Sequence, residues 1–574
     1  MIRNPVNFGE SELTRERTLE LFAGLAATAI VAALMVYFHD RTWWPPDDGY
    51  FAHVADTILR GGVLHRDVHS IHPGYIDFTN AGAMWAFGAD LLSMRYPLAL
   101  LAVVNCMLAF GLLLPRGVHI AFAGGISSGA FSFIQFINPS PNWYIPTFAL
   151  LIIAAASWMK PESRIRVPLI GFLLVTAFMY RQLSGVHLIM ATVTWLLLEQ
   201  RGNSDASPRL ARLILTVFAA VTAAYVVSKW SATSLLLFGV WPVLALVIAW
   251  RRVAMADGAA LRLVGGLALG GIIGAVPLLA YHFVNGSVAD WMADAFLDAV
   301  RFGFHPQFVQ RTYSDNLIYP ALFLIMEWSW IGAINAVFWY TALLLPAALG
   351  WQFLRLYSAP PPEKPWPIAV LLPVFYGLGA IHDEIAIYLL FTTAMTVFGA
   401  LYLAESKQQK QFAAASILAL SLVAVTLHAG RPVTRGIHGA MSGVSAPLDL
   451  PGGFPRASVA MEKKDAELYG ILLRVIAENT TPEDKILALP FNPEFYFLSQ
   501  RRAAMRSFVS QLGLRSEAET RAAIAALKLN PPKVLINRPE DKYNDDNTKK
   551  LFAALADRYR LERSTQGFDI YLLK

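Results

Sequence analysis

The chain has 574 residues, of which 56% are hydrophobic and only 15% are charged. A soluble domain carries about a quarter charged residues, so this composition excludes an ordinary soluble protein. The net charge of +6 does not indicate nucleic-acid binding, because Lys and Arg stand in short clusters between apolar runs and form no single basic stripe. The composition therefore predicts an integral membrane protein.

The first apolar run, residues 19–38, has about the length of a membrane span. His39-Asp40-Arg41 follows it, with no small-residue cleavage site, so we expect an uncleaved anchor. The only cysteine is Cys106, which lies in a later apolar run. A single cysteine excludes an intramolecular disulfide and a Cys-based metal site.

Thirteen apolar runs predict an all-α bundle of about thirteen transmembrane helices, and the run at 319–352 leaves two shorter helices open as an alternative. The runs lie near 19–38, 93–114, 118–137, 142–159, 166–183, 185–200, 210–228, 232–250, 263–284, 319–352, 367–381, 385–404 and 411–428.

The distribution of charge predicts the orientation. Every segment on the predicted cytoplasmic side carries at least one Lys or Arg, whereas the short outer turns near 138–142 and 382–385 carry none. By the positive-inside rule the N-terminus lies in the cytoplasm, and an odd number of spans places the C-terminal region in the periplasm. We therefore expect a multi-pass protein of a bacterial inner (plasma) membrane, with three outer segments at 39–92, 285–316 and 429–574.

The C-terminal region is predicted to be a small α/β domain, residues 429–574, which follows a transmembrane part, residues 1–428. Short strands alternate with longer helical patterns in it. The expected helices lie near 461–478, 516–528 and 548–559, and the expected strands at Lys485–Leu489, Lys533–Ile536 and Asp569–Leu573. The domain has no Gly-rich phosphate loop, nucleophile elbow or metal-ligand spacing, so we expect a binding or lid module.

The most informative stretch is residues 45–62, at the start of the first outer loop. After Asp48, apolar residues recur on one helical face and polar residues on the other, and a Gly-Gly pair follows. This pattern predicts a short amphipathic helix over about 49–60, lying flat on the membrane surface. Asp47 and Asp48 stand at its N-terminus, where one of them is expected to cap it.

A resemblance becomes visible in the rest of this loop. The acidic pair before Gly-Tyr, the helix ending in Gly-Gly, Arg66-Asp67, and His72-Pro73 before an apolar run together resemble the GT-C superfamily of membrane glycosyltransferases. That superfamily includes the protein O-mannosyltransferases and the bacterial aminoarabinose transferases. Weaker matches lie at 180–182, 285–290 and 489–501.

The resemblance implies a sugar donor on polyprenyl phosphate and transfer with inversion to an extracytoplasmic glycan, lipid or protein. An acid of the first outer loop would act as general base, and a fixed cation would stabilise the departing phosphate. Asp47 matches the family's first acid, with Asp48 and Asp67 as further catalytic candidates. The candidates for donor phosphate binding are Arg181, Gln182, Lys229 and Arg301, and those for an acceptor or structural role are Tyr50, His65 and His72.

Each candidate also has an ordinary structural interpretation: a helix cap for the paired acids, a solvated loop carboxylate for Asp67, a snorkelling cation for Arg181 and packing for His72. We expect no cofactor and no metal, although four histidines within residues 53–72 leave a divalent metal as an alternative. The expected partners are the donor, the acceptor and membrane lipids, without nucleic acid. The alternative functions are a transporter or flippase and a polysaccharide polymerase or ligase.

Overall fold

The computed structural model describes residues 10–199, 207–304, 313–326, 328–358, 366–430, 448–449 and 456–574. Within these residues, nine helices are long and apolar enough to cross a membrane. They are Arg15–Phe38, Leu92–Arg116, Gln182–Glu199, Arg209–Ser228, Ala232–Arg252, Asp257–Val284, Trp330–Tyr357, Ala386–Leu403 and Lys407–His428. The predicted multi-pass helical bundle is therefore confirmed, although the count of thirteen spans is not.

Two of the predicted spans are short helices, Val118–Ala130 and Ile145–Trp158, of 13 and 14 residues. Residues 131–144 between them leave α-helical geometry, because Pro139 and Pro141 have no N–H to donate. Every residue of this irregular segment is buried. Two further apolar helices, Arg166–Tyr180 and Ile368–Ile381, are also shorter than a full span.

The predicted span at 319–352 is divided, in agreement with the alternative of two helices. The first helix is Tyr313–Met326 and the second is Trp330–Tyr357. Ser329 begins the second helix, because its hydroxyl accepts the N–H of Gly332 at 3.0 Å and so satisfies one donor of the first turn.

Small residues allow close helix crossings inside the bundle. A Cβ at Gly270, on helix Asp257–Val284, would lie 1.7 Å from the carbonyl oxygen of Pro168 on the neighbouring helix. A Cβ at Gly171, on that neighbouring helix, would likewise overlap the backbone of helix Asp257–Val284. Glycine at both positions lets the two backbones approach each other, as is common between membrane helices.

The first outer loop contains two helices, Pro45–Leu59 and Tyr75–Phe87, and a 3-10 turn at Leu92–Arg95. The first helix begins at Pro45 and not near Gly49. Proline suits the first helical position, because an N–H there would have no acceptor within the helix. The two acids therefore lie within its first turn.

This first helix is enclosed, contrary to the prediction that its polar face meets water. All residues from Asp48 to Asp56 are buried. The polar face is covered by the C-terminal domain: the His53 ring lies 4.9 Å from that of Tyr496, and Arg456 pairs with Asp56 at 2.9 Å. The sequence pattern could not reveal this second covering layer.

Within the described residues of the second outer segment, 288–304 form a continuous helical stretch with the bounds Val288–Met292, Ala293–Asp298 with π-helical geometry, and Ala299–Phe304. It contacts the first outer loop and the C-terminal domain. Arg66 donates to the carbonyl of Asn285 at 3.3 Å, and Arg506 pairs with Asp294 at 2.7 Å. The three predicted outer segments therefore meet at one end of the bundle.

The C-terminal domain is built on a five-stranded mixed sheet, which confirms the small α/β region. In spatial order the strands are Arg502–Ala503, Lys485–Leu489, Val534–Asn537, Phe568–Leu573 and Tyr559–Thr565. The first three are parallel, and the last two form an antiparallel hairpin. The helices are Lys463–Asn479, Glu494–Ser499, Ser510–Gly513, Glu517–Leu529 and Asp546–Ala556.

Strand Tyr559–Thr565 was not predicted from the sequence. Its residues read YRLERST and are mostly exposed. A charged edge strand of this kind protects a sheet from pairing with another chain, and it lacks the apolar alternation by which strands are recognised.

Candidate functional site

Asp47 lies in the first turn of helix Pro45–Leu59, where its carboxylate is half-buried. Its Oδ2 accepts a hydrogen bond from Nδ2 of Asn138 at 3.0 Å. Asn138 belongs to the irregular buried segment 131–144, and its Oδ1 accepts from the indole N–H of Trp143 at 3.3 Å. The fold therefore presents a fixed amide N–H to Asp47.

The surrounding protein changes the acidity of this carboxyl group. Burial raises the pKa of Asp47 to about 7, the hydrogen bond from Asn138 lowers it, and the neighbouring charge of Asp48 raises it. A carboxyl group with this pKa is about half ionised at neutral pH. A general base is most effective when its pKa lies near the working pH, so Asp47 has the acidity that proton abstraction requires.

Asp48 is buried and occupied by structural contacts. Its Oδ2 accepts from the backbone N–H of Trp44 at 2.8 Å and lies 3.4 Å from the guanidinium of Arg95. Arg95 is itself buried and donates to the carbonyls of His39, Arg41 and Thr42. The Asp48–Arg95 pair therefore holds the start of the loop against the helix. Of the two acids, only Asp47 is partly exposed.

Arg181 lies where helix Arg166–Tyr180 ends, just before the helix that begins at Gln182. Its guanidinium carbon is 5.8 Å from the centroid of the Tyr388 ring. Its Nε is buried and receives no hydrogen-bond partner. Among the described residues no carboxylate pairs with Arg181, so this cation has capacity for an anionic ligand.

Tyr388 lies within electrostatic range of both Arg181 and Asp47. Both charged groups act electrostatically on its hydroxyl, as does Asp383 in the adjoining turn. Tyr543 of the C-terminal domain faces the same place, since burial and the charges of Asp47 and Asp383 raise its pKa. A cation, two carboxylates and two phenols therefore lie within electrostatic range of Tyr388 or Tyr543, where the membrane bundle meets the C-terminal domain.

Gln182 is a positioning residue in this structure. Its side-chain amide donates to the carbonyl of Ile71 at 2.9 Å and to that of Ala295. Both amide hydrogens are thereby used to join the first and second outer segments, which leaves no donor of this group for a phosphate.

The two other cations predicted at the donor site are also engaged. The ammonium of Lys229 is buried, donates to the carbonyl of Gly303 and lies 4.6 Å from the centroid of the Phe304 ring. Arg301 is about half exposed and pairs with Asp298 at 2.9 Å. Neither contacts the Asp47 and Arg181 groups in the residues that the structure covers.

Asp67 is exposed and closes a turn of the first outer loop. It accepts the backbone N–H of Val63 at 2.7 Å, and its hydrogen bond with Arg66 lowers its pKa. The structure brings it near no other predicted catalytic residue. Asp67 therefore has the surroundings of a solvated loop carboxylate.

Tyr50 and His72 are packed inside the first outer loop. The Tyr50 hydroxyl contacts that of Ser70 at 3.0 Å, and Ser70 donates to Asp77 at 3.0 Å. The His72 ring stacks on Phe51 with 5.7 Å between centroids, and burial lowers its pKa to about 3. These contacts hold the loop helices together.

The histidines of this loop do not converge on one point. His65 and His69 approach the second outer segment: His65 Nδ1 lies 3.4 Å from Asp294, and His69 Nε2 lies 3.2 Å from Asp298. Ligand atoms of His69, Asp294 and Asp298 lie within 4.8 Å of one another, a spacing that a cation could use.

Arginines already occupy the carboxylates of this cluster. Arg506 donates to both oxygens of Asp294, at 2.7 and 3.1 Å. Arg515 and Arg301 each donate to Asp298 at 2.9 Å. A divalent cation would have to displace three positive groups, so the arrangement is an ion-pair junction that joins the C-terminal domain to two outer segments. We call these residues, with His65 and His69, the outer junction.

The sequence reasoning missed Asn138, Arg95, Tyr388 and Tyr543. Asn138 had one weak signal, a polar side chain between an apolar run and two prolines in an outer turn. Arg95 had another, a cation on the predicted outer side against the positive-inside trend. No pattern places Tyr388 or Tyr543, because each reaches the site through tertiary contacts.

No protein-family model matches the chain, and no curated protein matches it significantly. Among solved structures, ArnT from Cupriavidus metallidurans bound to undecaprenyl phosphate is similar, with a TM-score of 0.52 and 11% identity over 96% of this chain and 97% of that chain. The apo state of ArnT covers the same shares at 12% identity with a TM-score of 0.36, too low to define a shared fold. The chain thus shares the fold of ArnT over nearly its whole length, in agreement with the fold that the resemblance of its first outer loop led us to expect.

Proposed function

We propose that this protein is a glycosyltransferase that moves a sugar from a polyprenyl-phosphate donor to a hydroxyl group outside the cytoplasm. One observation carries the proposal: Asp47, with a pKa of about 7, and Arg181, without a carboxylate partner among the described residues, both act electrostatically on Tyr388. A base and an anion-binding group are the two parts that such a transfer requires. The fold shared with an undecaprenyl-phosphate-bound ArnT supports it.

The chemistry follows from these two groups. The acceptor oxygen forms a bond to the anomeric carbon of the sugar, while the bond from that carbon to the phosphate oxygen breaks. Attack from the opposite face inverts the configuration. Asp47 takes the hydroxyl proton, and Arg181 binds the phosphate that leaves with the bonding electrons. Arginine suits this part because its planar fork can bind two phosphate oxygens.

The orientation in the membrane forms part of the proposal. The Lys and Arg residues between the spans favour a cytoplasmic N-terminus, so residues 39–92, the second outer segment and the domain at 429–574 would face the periplasm of a bacterial cell. The contacts among these three segments support a common side. A glycan, lipid or protein acceptor would then approach from the periplasm, and the donor from the outer leaflet.

The test uses the full-length protein in lipid nanodiscs, with a panel of undecaprenyl-phosphate sugars and candidate acceptors, and measures release of undecaprenyl phosphate. Asp47→Asn should lower turnover at least about a hundredfold, since Asn cannot take the proton. Asp67→Asn is the matched control, because it neutralises another acid of the same loop that is exposed and paired with Arg66; it should retain turnover. Turnover by Asp47→Asn at the parental rate would refute the assigned base. Movement of the lipid across the bilayer without sugar release by the parent protein would favour a flippase.

A further inference from the structure

We infer that Asn138 is a positioning residue for Asp47, which fixes one carboxylate oxygen and favours the ionised form, and that Trp143 sets the direction of the Asn138 amide. The inference rests on the proposed function, in which Asp47 takes the acceptor proton. It assigns a role to a segment, residues 131–144, for which the sequence predicted only membrane spans and an outer turn.

The amide of Asn138 has one orientation that satisfies its neighbours. Its Nδ2 is 3.0 Å from the Asp47 carboxylate, and its Oδ1 accepts at 3.3 Å from the indole N–H of Trp143, which also donates to the carbonyl of Phe136 at 3.2 Å. A flipped amide would direct its oxygen at a carboxylate and its N–H groups at an N–H donor. Both contacts would then be repulsive, so Trp143 determines which end faces Asp47.

The segment that carries Asn138 is held rigidly. Asn138 is 3% exposed, and its backbone N–H donates to the carbonyl of Phe136 at 2.9 Å. The Trp143 indole packs edge-on against Phe391 of helix Ala386–Leu403, with 4.6 Å between centroids. Because that helix also carries Tyr388, the segment fixes Asp47 relative to the proposed phosphate site.

Asn138 contacts only one of the two carboxylate oxygens. Within the described ranges, no hydrogen bond reaches Oδ1 of Asp47, and the side chain is half-buried. Oδ1 is therefore the oxygen able to receive the acceptor proton. A hydrogen bond at one oxygen restricts the rotation of the carboxylate, so its second oxygen favours one direction and the base is preorganised.

Several other groups act on the same carboxylate, and the test must separate them from Asn138. Asp48 lies on the same helix and raises the pKa of Asp47, and the charge of Asp47 acts in turn on Tyr388 of the bundle and on Tyr543 of the C-terminal domain. Asp383 acts on both tyrosines. Asn138 differs from these groups because it donates a hydrogen bond directly to the Asp47 carboxylate and lowers its pKa in that way.

The experiment compares the pH dependence of kcat/KM for the parent, Asn138→Ala and Trp143→Phe in nanodiscs. Loss of the donor should move the acidic limb of Asn138→Ala upward by about one pH unit, with a turnover at pH 7 about five- to tenfold below that of the parent. The deficit should narrow at pH 9, where the carboxyl group ionises without help. Trp143→Phe keeps the ring but loses the N–H, so its limb should move in the same direction by a smaller amount.

Asn142→Ala is the matched control, since Asn142 is a buried amide of the same segment that bonds with Ser140 at 2.8 Å and contacts no catalytic candidate. Its acidic limb should remain in the parental position even if its yield falls. An unchanged limb in Asn138→Ala, or an equal shift in Asn142→Ala, would overturn the inference.

An infrared titration makes failure of this inference distinguishable from failure of the proposed function. The carboxyl band present in the parent and missing in Asp47→Asn reports the ionisation of Asp47 without any substrate. If Asp47→Asn turns over normally, the assigned base is wrong, and the band still decides whether Asn138 controls Asp47. If Asp47→Asn is inactive while the band of Asn138→Ala titrates as in the parent, only the inference fails.

Discussion

Gly49, between Asp48 and Tyr50, offers a sharp test of how the C-terminal domain meets the catalytic helix. A Cβ at Gly49 would lie 2.4 Å from the backbone nitrogen of Glu494 and 2.6 Å from its Cα. Cβ atoms do not approach backbone so closely, so Gly49→Ala must move either the helix or the domain. We expect Gly49→Ala to destabilise the contact and to lower turnover.

The free-energy cost of Gly49→Ala can be estimated because Glu494 is held in place by its own contacts. Glu494 is buried, and one of its carboxylate oxygens accepts from the Tyr469 hydroxyl at 2.9 Å. Forcing a methyl group into such packing costs about 1–3 kcal/mol. Replacing a helical glycine by alanine alone gains up to about 1 kcal/mol. Gly82→Ala isolates that gain, because Gly82 lies in helix Tyr75–Phe87 with nothing within 4 Å of a new Cβ.

The assay is the thermal unfolding midpoint of both variants in the same nanodiscs, with turnover measured on matched amounts of folded protein. Gly82→Ala should unfold at or above the parental temperature. Gly49→Ala should unfold below Gly82→Ala by an amount that corresponds to about 1–3 kcal/mol, and it should turn over more slowly. Equal midpoints and parental turnover in both variants would show that the domain does not press on the catalytic helix.

Three further predictions follow from the charged groups. Arg181→Ala should raise the KM for the donor more than that for the acceptor, with partial recovery in Arg181→Lys; unchanged donor dependence would remove Arg181 from the phosphate site. A phosphatase fused after Lys574 should be active, and an inactive fusion beside an active cytoplasmic reporter would reverse the proposed orientation. Burial alone would raise the pKa of Asp294, but His65 and Arg506 hold it below its usual value, so its stabilisation is complete at neutral pH and is lost as the pH falls below about 4. Arg506→Ala should unfold at a lower temperature than the parent at pH 7, and its midpoint should fall less than that of the parent between pH 7 and pH 3.5, because the pKa of Asp294 is then depressed less. An equal fall in both proteins would contradict this account.

The sequence predicted what depends on local pattern. Apolar runs and the positive-inside bias predicted a multi-pass bundle, and strand Lys485–Leu489 has the predicted bounds. The division near Ser329 agrees with an alternative that the sequence left open. The start of the first loop helix was set too late, because the two prolines before Asp47 resemble a turn signal although proline also suits the first helical position.

The site was only partly predictable, for a physical reason. Asp47 and Arg181 carry charges that suggest a base and an anion-binding group from the residue type alone, so the sequence could identify both as candidates. Lys229 and Arg301 look equally suitable in the sequence, and only tertiary contacts show that each is already engaged. Asn138 shows the opposite: its uncharged amide gives only a weak signal in the sequence, and its proposed role follows only from its contacts with Asp47 and Trp143.

The distribution of these contacts along the chain bears on how such a site can work. The proposed base stands on the first outer loop, its amide partner on the segment between two short helices, and the proposed phosphate ligand at a third helix end. Tyr543 adds a group from the C-terminal domain, which the outer junction ties down through Arg506 and Arg515. Since no single segment holds the base and the cation together, their spacing depends on tertiary packing. The C-terminal domain would therefore belong to the proposed catalytic unit, and a chain truncated before it should lose turnover even if the bundle still inserts.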